Sequence, residues 1–295
     1  MPTSQSPQAT KGGVRLALPK GRIQPGVTRL LSEAGIDLVS SERGYRPLLS
    51  LAGFDVKLLK PQNIVEMLAA GSRDLGFTGA DWVAELDVDL VELLDTKLDP
   101  VRIVAAAPSA IVEEGRIVRR SLTIASEYER LTQRWIVRRE LEARFVRSYG
   151  ATEVFPPEDA DCIVDNTSTG STLRANGLVI VDELLQSSTR LYANPRSLDE
   201  PGKRTAIEGF VTLVEAVLTA RKRVMLEVNV SASALDAIVR ALPCMRKPTV
   251  ASLADEAGYA VKAAVPRDRL ATLIPELRAL GGTDIVVCQP SQIVA

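Results

Sequence analysis

Apolar and polar positions along this chain repeat in two alternating periods, and the switches between them mark out its elements. Residues 14–18 form a short apolar run that reads as a strand. It stops at Pro19-Lys20-Gly21-Arg22, and beyond Pro25 the apolar Val27, Leu30, Leu31 and Ala34 recur at helical spacing until Gly35. The pattern then predicts a strand at 55–59, a helix at 63–70 and a strand at 74–77 that breaks at Thr78-Gly79, where Asp81-Trp82-Val83 opens the next helix. Strands alternating with helices argue for an α/β protein with a largely parallel sheet. Further strands are expected at 101–107 and 122–125. Residues 127–149 read as one helix, with Leu131, Trp135, Leu141 and Phe145 near one face. Arg130, Arg134, Arg138, Arg139, Arg144 and Arg147 crowd the remainder, which reads as a solvated basic face, with an anion-attracting or subunit-contact surface as the alternative.

The last 73 residues follow a different plan. A strand at 223–230, a helix at 233–242, strands at 249–253 and 259–265, a helix at 267–280 and a strand at 285–288 give the order βαββαβ of a ferredoxin-like domain. Residues 219–222 would be the link. At the other end, residues 1–13 are rich in Pro, Ser, Thr and Gln without an apolar core and read as a disordered tail, and no run suits a membrane span.

Composition narrows the function by exclusion. The 36 Lys and Arg nearly balance 37 Asp and Glu, for a formal charge of -1, so nothing global draws the chain to nucleic acid or to anionic lipid. A partner has to be sought at a local site. The chain has no histidine, which removes His-based acid–base catalysis, Ser-His and Cys-His nucleophiles and the usual zinc site. If the chain is an enzyme, its chemistry must rest on carboxylates, fixed cations, backbone dipoles or a hard metal such as magnesium. Cys162, Cys244 and Cys288 are widely spaced in apolar surroundings without a CxxC, and read as buried, reduced thiols of a cytoplasmic protein.

One stretch concentrates polar chemistry. Cys162-Ile163-Val164 reads as a buried strand with Asp165 at its carboxyl end, where open α/β sheets place their ligands. Asn166-Thr167-Ser168-Thr169-Gly170-Ser171-Thr172 then offers consecutive N–H groups and five hydroxyls, with Gly170 permitting close approach and a short helix closing at Gly177. A cup of N–H groups at a helix start suits a phosphate, and the loop lacks the Lys of a Walker A site. A carboxylate beside a monophosphate cup can accept hydrogen bonds from a vicinal diol, as a ribose 5-phosphate presents. An Asx turn with Ser and Thr capping a helix is the alternative.

These residues resemble the phosphoribosyl-diphosphate (PRPP) motif of the ATP phosphoribosyltransferase family: an Asp, then STGxTL, then ANGL, here Asp165, Ser168 to Leu173 and Ala175 to Leu178. The resemblance extends over nearly the whole chain from Val14. LALPKGR at 16–22 is similar to the family's first strand and basic turn, DLGFTGADWV at 74–83 to its D-x-G-x-x-G-x-D segment, and the βαββαβ tail to the regulatory domain of its long form. The implied fold is a two-lobed catalytic region like periplasmic binding proteins, with lobe I at 14–100 and about 185–218, lobe II at 101–184, and the regulatory domain at 223–295.

The resemblance also implies roles. Asp165 would hold the ribose diol, and Ser168, Thr169, Gly170, Ser171 and Thr172 the 5-phosphate. Lys20 and Arg22, with Gly21 between them, would face the diphosphate or the ATP phosphates; surface charges after a strand are the alternative reading. Thr78, Gly79 and Asp81 would line the cleft, unless Asp81 merely caps a helix, and Glu153 matches an acid before the ribose motif. The expected reaction joins adenine N1 of ATP to the anomeric carbon of PRPP with inversion. Magnesium would be carried by the substrate phosphates, with no dedicated protein site, in a homodimer or homohexamer.

Departures from the family pattern fall at defined places. Pro156 to Asp161 replaces a glycine-containing segment before the ribose motif, and Lys60-Pro61-Gln62-Asn63 stands where the family tends to Arg-Pro-x-Asp. In the regulatory domain, Asn229 replaces an acid and Lys247-Pro248-Thr249 a Ser-Pro-Thr turn, in a pocket that Met245 and Glu227 would share. Losing a carboxylate and adding an ammonium should weaken capture of histidine as feedback inhibitor, with Glu227 as compensation. Two other classes are consistent with parts of the pattern. One is a two-lobed anion-binding protein; the other is a catalytically silent paralogue acting as a regulatory subunit.

Overall fold

The computed structural model describes residues 13–39, 44–118 and 121–294. The expected tail, residues 1–13, lies outside them except for its last residue. Packing divides the chain into two compact units: residues 1–29 with 37–208, and residues 30–36 with 209–295.

The first unit is built on one eight-stranded sheet. Its strands are β1 (Val14–Pro19), β2 (Phe54–Leu59), β3 (Leu75–Gly79), β4 (Val91–Pro108), β5 (Ser121–Ser126), β6 (Glu142–Arg147), β7 (Cys162–Thr167) and β8 (Leu178–Ala193), in the order β6-β5-β7-β4-β8-β3-β1-β2. The outer strands pair in parallel, as their alternation with helices predicts: β1 with β2 and β3, and β5 with β6 and β7. The centre differs from a purely parallel sheet. Strands β4 and β8 are antiparallel to each other and long enough to run through both halves, so that β8 meets β3 in one lobe while β4 meets β7 in the other. Between the lobes the ladder slips register at Ser187, Thr189 and Arg190, and Lys97 and Asp99 take positive φ of 58° and 47°. Two lobes thus share one sheet through a pair of irregular strands.

The helices α1 (Gln24–Glu33), α2 (Pro61–Ala69), α3 (Ala80–Leu86), α4 (Glu129–Arg138) and α5 (Ser171–Ala175) follow strands β1, β2, β3, β5 and β7. Strand β4 is apolar on both faces where it crosses lobe II. Ile103, Ala105 and Ala107 pack with Leu122, Ile124 and Trp135, and Val104 and Ala106 with Ile163 and Leu173.

One expectation is overturned here. Residues 127–149 are not a single helix, because α4 stops at Arg138, Glu140 takes a φ of 53°, and β6 follows as the edge strand beside β5. Leu141 and Phe145 lie four apart and mimic a helical face, but alternation in Glu142–Arg147 decides for a strand whose charged side chains suit an exposed edge.

The second unit contains most of α6 (Pro201–Arg221), then β9 (Arg223–Val230), α7 (Leu235–Ala241), β10 (Thr249–Ser252), β11 (Tyr259–Pro266), α8 (Leu270–Ala279) and β12 (Thr283–Cys288). Its antiparallel sheet runs β10-β11-β9-β12, the ferredoxin-like order. Alternate residues Val224, Leu226, Val228 and Val230 of β9 are buried against Ile238, Leu242, Leu273 and Leu277. The unit boundary falls at Gly209 inside α6, upstream of the expected link 219–222, and the part of the helix beyond it buries Phe210, Val214 and Val217.

Of the three thiols only Cys162 is buried, while Cys244 is half-buried and Cys288 exposed; all three are free. Among the described residues, no helix is long and apolar enough to cross a membrane.

Candidate active site

Lobe I supplies a basic rim. Where β1 ends, Gly21 at a φ of 84° turns the chain so that Lys20 and Arg22 flank the turn, and where β2 ends, Lys60 precedes α2. Together with Gln62, Gly79, Asp81, Trp82, Glu127, Tyr128 and Asn166 these three cations line a cleft of about 400 Å³. None of the three has a carboxylate within ion-pairing distance among the described residues. The basic turn and the expected Gly79 and Asp81 therefore meet in one cleft, with Lys60 added to them.

Gly79 and Asp81 depend on each other. A Cβ at position 79 would lie 2.1 Å from Asp81 Oδ1, so only glycine lets the carboxylate fold back over the strand end. Asp81 does not cap α3. It is buried, accepts from Ser187 Oγ at 2.6 Å and from the Tyr128 hydroxyl at 2.8 Å, and its own N–H donates to Ser187 Oγ at 3.0 Å. Thr78 does not reach the cleft. It is fully buried, and its hydroxyl donates to the Pro61 carbonyl at 3.2 Å, joining the end of β3 to the start of α2.

Tyr128 is one residue that sequence reasoning missed. Its N–H donates to Ser126 Oγ at the end of β5, its ring stacks on Trp82 with centroids 4.7 Å apart, and its hydroxyl accepts from Asn166 Nδ2 at 3.2 Å. Nearby, the buried Glu85 of α3 accepts from the Arg130 and Leu131 N–H groups, both at 3.0 Å, and so caps α4 from the opposite lobe. Burial, the Asp81 charge and the hydrogen bond to Asp81 hold the Tyr128 hydroxyl protonated well above its ordinary range. Residue order carried no signal for this contact, since the pattern placed Tyr128 inside a helix expected over 127–149, whereas α4 starts at Glu129.

Asp165 lies inside β7 rather than beyond it, since the strand runs to Thr167. Its position is special for another reason. Parallel pairing with β5 stops at Val164, so Asp165 is the first residue of the strand with that flank open. It accepts from the Asn166 N–H at 2.7 Å and from Asn166 Nδ2 at 3.2 Å, with no cation paired to it among the described residues. Burial, opposed by the Asn166 N–H and reinforced by the charges of Glu153 and Glu127, pushes its carboxyl up to about 6. Glu153 thus lies within electrostatic reach of Asp165, and Glu127 joins them. The sequence treated Glu127 only as a helix start.

The hydroxyl loop closes on itself. Gly170, at a φ of 75°, donates its N–H to Thr167 Oγ1 at 2.9 Å, and the Ser171 N–H reaches Thr169 Oγ1 at 3.3 Å. Ser168, Thr169, Ser171 and Thr172 are exposed. Arg174 leans over the loop, with Nη1 donating to the Thr169 carbonyl at 3.1 Å and lying 3.1 Å from where a Cβ on Gly170 would stand. It adds a positive charge that the motif reading did not assign. Side-chain hydroxyls hold N–H groups that an incoming oxyanion would take over with stronger, charge-assisted bonds.

The expected regulatory residues lie in the second unit. Glu227 pairs with Lys262 at 3.6 Å, and Asn229 Nδ2 donates to Asp284 at 3.2 Å. Lys247 and Thr249 are exposed at and before β10. Met245 sits apart, lining a concavity with Arg223, Pro266 and Arg267.

The family model for ATP phosphoribosyltransferase matches residues 60–216, and the model for that family's C-terminal domain matches residues 220–290. The ATP phosphoribosyltransferase of Pelodictyon phaeoclathratiforme is 36% identical over 277 residues, covering 92% of this chain and 94% of that protein. The chain belongs to the ATP phosphoribosyltransferase family. A second family member, from Prosthecochloris aestuarii, is 36% identical over 94% of this chain and 96% of its own length. Among solved structures, the ATP phosphoribosyl transferase (HisG:HisZ) complex from Thermotoga maritima contains a chain that is 28% identical, with a TM-score of 0.61, over 70% of this chain and 98% of that one. The protein is accordingly a phosphoribosyl transferase of the first step of histidine biosynthesis, of the family's long form. None of these relations favours a silent regulatory chain or a solute-binding protein.

Proposed function

We propose that this cleft condenses ATP and PRPP to N1-(5-phosphoribosyl)-ATP and diphosphate, with Asp165 accepting the ribose hydroxyls and residues 168–172 taking the 5-phosphate. The anomeric C–O bond breaks as adenine N1 forms the C–N bond from the opposite face. The diphosphate leaves with the electron pair, and the adenine amino group loses a proton to solvent. Lys20, Arg22 and Lys60 meet the charge that develops on the departing diphosphate. Alignment and electrostatics carry such a displacement without a dedicated base, which suits a chain without histidine. The observation that supports this reading most is the set of three cations in one cleft, none with a carboxylate in ion-pairing distance among the described residues, with Asn166, the hydrogen-bonded neighbour of Asp165, in the same lining.

Magnesium would enter with the substrate phosphates and neutralise part of their charge. The mutual repulsion of Asp165, Glu153 and Glu127 makes the ribose side hospitable to such a cation, although no protein ligand set is assigned to it. The enzyme is proposed to work in the cytoplasm as a homo-oligomer, with histidine as a weakened inhibitor. Glu227 is already engaged by Lys262 and Asn229 carries no charge, so neither offers a free carboxylate to the ligand's amino group.

The test follows product absorbance in the ultraviolet with ATP, PRPP, magnesium and pyrophosphatase, with and without histidine. Product that disappears in Asp165→Ala, with PRPP binding reduced, is the expected result. Folded protein that binds PRPP without turnover would support a regulatory chain instead. Inhibition by histidine as strong as in a family member with the acid in place would refute the weakened pocket.

A further inference from the structure

Lys20 reaches the cleft on a long, flexible stem, and such an ammonium loses rotamer freedom when it engages a phosphate. No carboxylate among the described residues steadies it. What does stand over it is an aromatic ring: Lys20 Nζ lies 3.9 Å from the centroid of Tyr45. Tyr45 is 65% exposed, too open for its ring to serve the core.

Its backbone is nonetheless fixed. The Leu58 N–H donates to the Tyr45 carbonyl at 2.9 Å, which ties the segment to β2, and the next residue, Arg46, turns back to Asp55 at 4.0 Å. Strand β2 pairs with β1 up to Pro19 and Leu59, so the strand that anchors Tyr45 lies beside the one that delivers Lys20. The Lys20 N–H itself donates to the Leu59 carbonyl at 2.8 Å. Ring and ammonium are therefore held by neighbouring strand ends.

We propose that Tyr45 is a positioning residue of the transfer reaction, holding the Lys20 ammonium at the cleft through its ring face. A cation–π contact occupies one side of an ammonium and leaves N–H donors for a phosphate oxygen on the other. The ring thus limits the positions Lys20 can take without competing for its charge. This rests on the reading of Lys20 as a phosphate-facing cation.

The experiment is a double-mutant cycle on the full chain, with kcat/KM read from product absorbance for Lys20→Met, Tyr45→Leu, Tyr45→Phe and the Lys20→Met/Tyr45→Leu pair. Tyr45→Leu should lower kcat/KM about two- to fivefold, the range of a cation–π contact at an open site. Tyr45→Phe, which keeps the ring, should stay within about twofold of the unaltered enzyme on the same ground. The pair should be no slower than Lys20→Met alone, because without the ammonium the ring has nothing to hold. A merely structural role would leave the two losses multiplying and would show in the thermal midpoint of Tyr45→Leu, and that result overturns the proposal. If Lys20→Met is crippled while Tyr45→Leu equals the unaltered enzyme, the proposal alone falls. If Lys20→Met is itself fully active, the reading of the basic turn falls and takes this proposal with it.

Discussion

Asp74 and Asp165 are carboxylates of the same sheet, one just before β3 and the other on the open flank of β7, and their surroundings are opposite. Asp74 is fully buried and saturated: the Arg15 N–H donates to it at 2.8 Å, Arg15 Nε at 2.9 Å and Nη2 at 2.7 Å, Ser197 Oγ at 2.7 Å and Lys203 Nζ at 3.3 Å. Burial alone would raise its pKa, but these donors and the Arg15 charge hold it well below the usual carboxylate range. Asp165 has its neighbouring asparagine and two acids nearby, and its carboxyl is pushed up to about 6. One site spends its hydrogen-bonding capacity on the fold. The other keeps capacity in reserve, which is what a ligand needs.

The largest effects should come from neutralising each acid in turn. Asp74→Ala strands a buried part of Arg15 and Lys203 and should cost about 3 kcal/mol or more in urea unfolding. Asp165→Asn should leave stability at neutral pH unchanged or higher, yet lower kcat/KM for PRPP by about 100-fold, the loss expected when charged hydrogen bonds to a substrate vanish. Equal destabilisation by both changes would erase the contrast.

Acid sharpens the same contrast through opposite slopes. For Asp74 the folded pKa lies below the unfolded one, so its contribution is present above about pH 3.9 and is lost as pH falls through the folded value. For Asp165 the folded pKa is the higher one. Between about pH 3.9 and 6 the folded state holds a proton that the unfolded state has released, so stability falls as pH rises through that window. The penalty above pH 6 amounts to about 2 to 3 kcal/mol by linkage. Unfolding measured from pH 4 to 8 should therefore show Asp165→Asn gaining on the unaltered chain as pH rises.

Smaller changes probe the link between the lobes. Tyr128→Phe keeps the stack on Trp82 but leaves the buried Asp81 with Ser187 alone, at a cost of about 1 to 2 kcal/mol. Gly170→Ala meets a left-handed backbone and Arg174 Nη1 together, and should cost about 1 kcal/mol with a weaker PRPP interaction. Chemical unfolding and PRPP titration check both.

Much of this was legible in residue order. The outer strands, their helices and the βαββαβ unit follow from periodicities that local sequence controls, and Asp165 with its loop stands out because hydroxyls and a glycine cluster after an apolar strand. What stayed hidden depends on distant partners. The first ten residues of β4, VELLDTKLDP, look like a charged loop until β8 pairs with them. Strand β6 passed for helix because Leu141 and Phe145 satisfy both periods. Tyr128, Glu127 and Asn166 acquire meaning only when α3 and α4 bring the lobes together, and Arg174 only when α5 places its guanidinium over Gly170.

The most direct test is PRPP affinity measured for the unaltered enzyme and for Asp165→Asn between pH 8 and pH 5. The difference between them removes titration of the ligand's own phosphates. The account predicts that the unaltered enzyme binds more tightly at pH 8 and that its advantage collapses as pH falls through about 6, where Asp165 takes up its proton. Equal affinity at pH 8, or an advantage that persists unchanged to pH 5, would contradict the claim that an uncompensated carboxylate on β7 holds the ribose.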